Sequence, residues 1–276
     1  MKALFPLLVA GASLSLMACD VLSVRPSEPD VPAVAATCER GDANCRFINS
    51  PVQVDRSRPT RIPSRTAAFY PTLNELQFLD GGRQRWIAHE GIITDGASIP
   101  QIFVGIVGEP TSQDFTNAAA LHDAYCGIGN ESGPNYHAAP WHDVHVMFYD
   151  ALRVGGVPEI KAKVMFAAVW LGGPRWAGTR QPAQPALAFA AARNVAGTPG
   201  FRPGAHDPAR MQAAMRRIRT FVEETNPDLQ SLVAFITEEE NGLAAGSSTA
   251  AGGAPGGGSE AAGGRGFGAG QVSNGD

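Results

Sequence analysis

The segment Leu121-His122-Asp123-Ala124-Tyr125-Cys126 decides how the chain folds, because it ends the first long helix of a predicted helical core. Upstream of it lies the turn motif Thr94–Pro100, and downstream a second helix begins at Pro140 and carries His145. A histidine beside an aspartate on one helix can direct a proton acceptor and a cation ligand into the same cleft. This segment therefore marks a candidate site as well as a helix end.

Strand signals precede these helices. Leu76–Leu79 and Arg85–Ala88 flank an Asp80–Gly82 turn and predict a β-hairpin, and Gly91–Thr94 predicts a further strand. A third helix follows Pro158. The expected fold class is α+β, with a small N-terminal antiparallel hairpin or meander packed on a mainly α-helical core.

Composition divides the remainder of the chain. Residues 19–64 contain many prolines and charges and predict a flexible tether, and the core is expected over 65–176. Two helices opening at Asp207-Pro208 and Asn226-Pro227 form a predicted extension over 177–243. From Ala244 to the end, glycine, alanine and serine dominate, which predicts a disordered tail over 244–276.

The N-terminus predicts a compartment. Lys2 precedes an apolar run too short for a typical membrane span, and Leu16-Met17-Ala18-Cys19 follows it. This pattern resembles the signal of bacterial lipoproteins, in which residues 1–18 are removed and Cys19 receives the lipid. The resemblance implies an envelope protein held to a membrane through Cys19 and facing the periplasm, and Asp20 slightly favours the inner membrane over the outer one. An ordinary secretory signal is the alternative.

Charge and cysteine usage narrow the function classes. The chain has 276 residues and a net charge of −4, and no basic stripe dominates, so a nucleic-acid partner is not expected. Cys38 and Cys45 enclose a short polar loop, and in an oxidising compartment they are expected to form a disulfide. Cys126 then remains, and a buried, unreactive thiol is the favoured interpretation.

Three motifs together resemble a known family. Thr94–Pro100, Leu121–Asp123 and Met147–Leu152 are similar to the domain-of-unknown-function family numbered 1353, over roughly residues 70–176. The family brings no activity with it. It commonly has an aspartate shortly before the third motif; here His145 keeps that register, whereas Asp143 keeps the carboxylate chemistry.

A more distant resemblance is to secreted phospholipase A2, which carries a His-Asp pair on a helix packed against a second helix. It implies that His122 activates water, that Asp123 binds calcium, and that His145 or Asp143 orients His122. Asp95 would be a further cation ligand. The phospholipase cysteine pair is replaced here by Ala118 and Ala119, and its glycine-rich calcium loop is absent.

Two function hypotheses remain open, and whether the protein is an enzyme is undecided between them. The first is a lipid-anchored envelope protein with a structural or interaction role. The second is a cation-assisted hydrolase of a phospholipid or cell-wall ester, which requires Asp95, His122 and Asp123 to share one cleft. Calcium is the expected cofactor only in the second case. His142 and His145 also have a spacing compatible with shared metal ligation, although a surface position is the simpler interpretation of His142.

Overall fold

The computed structural model describes residues 34–96, 99–107, 113–180 and 202–251. Six short strands come first: β1 (Arg46–Ile48), β2 (Thr60–Arg61), β3 (Ala68–Pro71), β4 (Leu76–Leu79), β5 (Arg85–Ala88) and β6 (Ile93–Thr94). The helices follow: α1 (Val104–Val107), α2 (Gln113–Cys126), α3 (Trp141–Val154), α4 (Glu159–Gly172), α5 (Pro208–Thr225) and α6 (Leu229–Ala251). The predicted α+β class is confirmed.

The strands form two antiparallel three-stranded sheets, in the orders β1-β4-β5 and β2-β3-β6. In the hairpin of the first sheet, Leu76 pairs with Ala88 and Phe78 with Trp86. All four side chains are buried while their neighbours in the strands are more exposed, which is the alternation of a sheet with one covered face. Helix α2 packs against β4 and β5 and also against β6 of the second sheet.

Helix α4 is the centre of the helical layer. Its residues from Ala162 to Leu171 are all buried, because α3 covers one side of it and α5 and α6 cover others. Helix α5 presents the expected apolar stripe to α4, and Met211, Met215, Ile218 and Val222 have no exposed surface. Its start is fixed by Asp207, whose side chain accepts a hydrogen bond from the backbone amide of Arg210 at 3.0 Å.

Two predicted segments, the tether and the tail, differ from the structure over the residues that it describes. The part of the expected 19–64 tether that the structure describes, from Val34 on, packs into the core, where Val34, Cys38 and Val52 are buried and β1 pairs with β4. The extension expected over 177–243 shares one hydrophobic core with the preceding helices over its described part. Residues 244–251 of the expected tail are helical, since α6 continues to Ala251, and 252–276 lie outside the described residues.

Cys38 and Cys45, the pair expected to be bonded, are joined by a disulfide, with their Cα atoms 5.9 Å apart. Among the described residues, no helix is both long enough and apolar enough to cross a membrane.

Candidate functional site

A cavity of about 880 Å³ lies where the end of α2 meets the turn after β6. Its wall also includes the loop after α2, the chain just beyond α4, and the segment that precedes α5. The polar side chains that line it are Arg65, Asp95, His122, Asp123, Cys126, Glu131, Tyr136, Arg175 and Arg202. The three residues that the hydrolase hypothesis brings together, Asp95, His122 and Asp123, thus share one cavity.

Asn130 holds this arrangement together. Its side-chain amide donates to the backbone oxygen of Asp123 at 3.0 Å and to that of Ile93 at 2.8 Å. Its side-chain oxygen accepts from the Ile93 amide at 2.9 Å. Because Asn130 is buried, these bonds fix the end of α2 to strand β6, and so fix the His-Asp pair relative to the following turn.

That turn, Thr94-Asp95-Gly96, has a local structural cause. The Thr94 hydroxyl accepts a hydrogen bond from the Gly96 amide at 3.0 Å, and Gly96 has a φ of 80°, which a glycine adopts without strain. Asp95 is thereby placed at the cavity wall. The next residues of the motif, Ala97 and Ser98, lie outside the described residues.

His122 and Asp123 are both buried, at 3% and 5% exposure. Burial lowers the pKa of His122 from its ordinary 6.5 to about 3, so its ring is neutral at physiological pH. A neutral imidazole accepts a proton or binds a metal ion through a ring nitrogen. The low pKa makes the ring a weak base. A weak base removes a proton from water slowly unless another group, such as a metal ion, lowers the pKa of that water.

The residue that faces His122 from α3 is His145. The two ring centroids lie 5.2 Å apart, and His145 has no exposed surface. Asp143 points elsewhere: its side chain is 52% exposed and its carboxylate lies 3.3 Å from Nε2 of His142. Of the two orienting residues that the sequence left open, the structure brings only His145 to His122.

His145 sits in an aromatic enclosure. Trp141 and Trp170 contact its ring edge-to-face, with centroid distances of 5.4 and 6.1 Å, and Phe148 contacts His122 at 5.1 Å. Burial is the largest cause that holds the pKa of His145 well below its usual range, and the neighbouring His122 and Arg175 lower the pKa further. Both histidines are therefore uncharged, with His122 at the cavity wall and His145 behind it among aromatic rings.

Cys126 is the site residue that sequence reasoning missed. The prediction that it is buried is correct, but its Sγ lies 3.4 Å from Nε2 of His122, one helical turn earlier. Donor atoms of His122, Cys126 and His145 all lie within 4.8 Å of one another. The signal was present in the sequence as a histidine and a cysteine four residues apart on one helix, a spacing that places both on the same face.

The other histidines of this region are not part of that cluster. His137 is stacked between Tyr136 and Trp176, with centroid distances of 4.0 and 4.1 Å. His142 pairs with Asp143 and is 36% exposed. Shared metal ligation by His142 and His145 is not supported, since one is partly exposed beside Asp143 and the other is fully buried beside His122.

Comparison with known proteins agrees with the family resemblance. Residues 72–169 match the family described as "Protein of unknown function (DUF1353)". Two uncharacterized proteins of Sinorhizobium fredii (strain NBRC 101917 / NGR234) are similar: y4iH, 34% identical over 102 residues, and y4jT, 36% identical over 103 residues. Each match spans 37% of this chain, and 39% of y4iH or 28% of y4jT, so well under half of each relative is covered. No solved structure matches.

Proposed function

We propose that the protein is a lipid-anchored protein of the bacterial envelope whose folded domain binds a small polar molecule in the cavity beside His122 and Asp123. The anchoring half of the proposal is supported by Leu16-Met17-Ala18-Cys19 after an apolar run. The Cys38–Cys45 disulfide supports an oxidising compartment, since such bonds are rare in the reducing cytosol. Cys19 itself lies outside the described residues.

The cavity carries the binding half of the proposal. Its volume of about 880 Å³ falls within the usual range of small-molecule sites, roughly 300–1,000 Å³. Its wall combines Arg65 and Arg202 with Asp95, Asp123 and Glu131, so both signs of charge are available to a ligand. A molecule with several polar groups fits such a wall better than an apolar one, because every charged group that loses water on binding needs a polar partner.

The anchor is tested by metabolic labelling of the full chain with palmitate in a Gram-negative host. The wild-type protein is expected to take up label and to remain with membranes after alkaline carbonate extraction. Cys19→Ser removes the acceptor thiol and should lose both properties, whereas Cys126→Ser should keep both. Equal labelling of wild type and Cys19→Ser would refute lipid attachment at this residue.

The ligand is sought by native mass spectrometry of the full chain after incubation with a small-molecule extract of the envelope. Wild type should carry a discrete bound mass at one equivalent. Ile128 lines the cavity, so Ile128→Trp places a bulky ring at its wall and should abolish or weaken the bound species, while Leu73→Trp, at a site 46% exposed away from the cavity, should not. The same bound mass in all three proteins, or none in wild type, would contradict the proposal.

A cation-assisted hydrolase is the second candidate, because Asp95, His122 and Asp123 line one cavity. In this mechanism Asp95 and Asp123 would hold calcium, which would supply Lewis-acid polarisation of an ester carbonyl, and His122 would accept a proton from the attacking water. The structure offers His145 rather than a carboxylate opposite His122, and the pKa of His122 is about 3. Both facts make His122 a weaker base than the phospholipase comparison implies, and binding is therefore the first proposal.

Hydrolysis is tested with phosphatidylglycerol vesicles and p-nitrophenyl butyrate, each with and without calcium. The enzyme hypothesis expects calcium-dependent release that falls at least about 100-fold in His122→Gln, the loss typical of a general base. Asp123→Asn should raise the calcium concentration required. His142→Gln, which alters a partly exposed histidine on α3, should have no effect. Turnover that survives His122→Gln would exclude this mechanism.

A further inference from the structure

His122, Cys126 and His145 form a compact cluster of donor atoms between α2 and α3. Nε2 of His122 lies 3.4 Å from Sγ of Cys126, and one donor atom of each of the three residues lies within 4.8 Å of the others. All three side chains are at least 95% buried, with exposures of 3%, 5% and 0%. Two residues come from one helical turn of α2 and the third from the facing helix.

We propose that this trio is a binding site for a metal ion that prefers imidazole and thiolate ligands, with zinc as the expected occupant. Two imidazole nitrogens and one sulfur are donors for zinc or copper(I), whereas calcium and magnesium take oxygen ligands. The site is therefore distinct from the calcium site of Asp95 and Asp123 that the hydrolase hypothesis requires.

His145 supplies the observation that points to a ligand. Among the described residues, neither of its ring nitrogens has a hydrogen-bond partner, although the residue is fully buried. A buried polar group without a hydrogen-bond partner costs roughly 1–3 kcal/mol of folding free energy. Such groups are therefore rare unless they bind a water molecule, an ion or another ligand. A metal ion beside Cys126 would coordinate one of these nitrogens and remove part of that cost.

The distances suit coordination. Bond lengths near 2.0 Å to nitrogen and 2.3 Å to sulfur place tetrahedral ligand atoms roughly 3.5 Å apart. The His122–Cys126 pair already has this separation, and the longest separation in the trio, which is at most 4.8 Å, must shorten by no more than about 1.5 Å.

The surroundings leave a fourth coordination position towards the cavity. His122 and Cys126 line the cavity wall, while His145 lies behind them against Trp141 and Trp170. Three protein ligands with one open position is the arrangement of catalytic rather than structural zinc sites. On binding, the thiol proton of Cys126 passes to solvent and the thiolate binds the ion.

This inference does not depend on the proposed ligand binding, and it competes with the hydrolase alternative. An ion held by His122 occupies the nitrogen that would otherwise accept a proton from water. A metal-loaded cavity would instead use the ion itself to bind a polar group of the ligand or a water molecule.

The test is a titration of the purified full chain, stripped with a chelator, against zinc in competition with a chromophoric chelator, and separately against cobalt(II). Wild type is expected to bind one equivalent of zinc, and cobalt to give a thiolate-to-metal charge-transfer band. Cys126→Ser and His145→Gln should each weaken zinc binding more than about 100-fold, beyond the effect of a residue outside the coordination shell. Both should lose or alter the cobalt band, and His142→Gln should match wild type.

Folding is controlled by circular dichroism and thermal unfolding of each metal-free protein. Cys126→Ser exchanges only sulfur for oxygen and keeps the test valid if His145→Gln does not fold. Zinc should raise the Tm of wild type and leave that of Cys126→Ser unchanged. Copper(I) binding in place of zinc, with the same dependence on Cys126, would support the trio and identify copper. Absence of stoichiometric binding of either ion, or equal binding by wild type and Cys126→Ser, would overturn the proposal.

Discussion

Asp150 on α3 accepts hydrogen bonds from Thr37, 113 residues earlier in the chain. The Thr37 amide lies 3.1 Å and the Thr37 hydroxyl 2.5 Å from Oδ2 of Asp150, and the Cys38 amide lies 3.3 Å from Oδ1. The carboxylate therefore gathers three donors from one short segment. This contact fixes the described N-terminal segment to the helical core and explains why it does not behave as the tether that its composition predicts.

The glycine at position 81 is required for this contact. A Cβ atom at Gly81 would lie 1.9 Å from the Thr37 backbone oxygen, whereas at Gly82 the nearest atom is a side-chain oxygen of Asp80 at 3.4 Å. We expect Gly81→Ala to lower the free energy of unfolding by roughly 1–3 kcal/mol. Gly82→Ala should change it by less than about 0.5 kcal/mol. Urea unfolding of the full chain followed by tryptophan fluorescence measures both, and equal values would show that Thr37 does not pack tightly on this turn.

The disulfide next to Thr37 should stabilise the same segment. Cys38 and Cys45 are seven residues apart, and closing a loop of this size lowers the chain entropy of the unfolded state by the equivalent of about 2–3 kcal/mol. The double variant Cys38→Ser/Cys45→Ser should unfold at correspondingly lower urea concentration. Adding a reductant should destabilise wild type to the same extent and leave the double variant unchanged. A reductant effect of equal size in both proteins would show that it acts elsewhere.

Local patterns in the sequence predicted the elements, and long-range contacts decided the rest. The alternation in Leu76–Leu79 and Arg85–Ala88 was enough to identify the hairpin, because its register is local. The third strand of that sheet, Arg46–Ile48, has only three residues and pairs across about thirty residues of chain, so no periodicity indicates it. A polar, proline-containing segment is predicted to be a linker from its composition. Its contact with a distant residue such as Asp150 becomes evident only in the folded structure.

Local motifs likewise predict some parts of the candidate site, whereas other parts depend on long-range contacts. The His-Asp pair and the Asp95 turn could be recognised from motifs, and their meeting in one cavity follows from the folded arrangement. The choice between His145 and Asp143 depended on which face of α3 meets α2, and residues two positions apart lie on different faces. The place of Cys126 near a helix end predicts a buried, unreactive thiol, whereas its contact with His122 becomes evident only in the folded structure.

Asp150 should also make stability depend on pH. Burial is the largest cause that raises its pKa from 3.8 to about 7; hydrogen bonds from Thr37 and Cys38 lower the pKa, and the negative charge of Asp80 raises it. The folded state thus holds a proton that the unfolded state has lost between about pH 4 and pH 7. The contribution of Asp150 to the free energy of unfolding therefore falls as pH rises through that window. The total fall is about 1.4 kcal/mol for each pH unit between the unfolded-state pKa and the folded-state pKa.

Asp150→Asn removes this titration while keeping an oxygen that can accept from the Thr37 and Cys38 amides. The informative quantity is the unfolding free energy of wild type minus that of Asp150→Asn, since the other titrating groups are common to both proteins. We expect that difference in unfolding free energy to decrease between about pH 4.5 and pH 7.5 in urea titrations. A difference that stays constant, or grows with pH, would show that Asp150 is ionised in the folded protein across the whole range.

Arg175 and Glu240 form a buried ion pair that joins the cavity wall to α6. The guanidinium group donates to both Glu240 oxygens, one of them at 3.2 Å, donates to the Trp170 backbone oxygen at 2.7 Å, and lies 4.5 Å from the ring centroid of Trp141. The Arg175 and Glu240 side chains are only 14% and 9% exposed. Glu240→Leu therefore leaves a buried positive charge and should lower the free energy of unfolding by about 3–5 kcal/mol.

The double variant Arg175→Met/Glu240→Leu removes both charges and should recover most of that loss, because neither charge is then buried alone. The coupling energy from a double-mutant cycle in urea measures this directly, and simple additivity of the two single changes would mean that the pair contributes no more than two independent side chains.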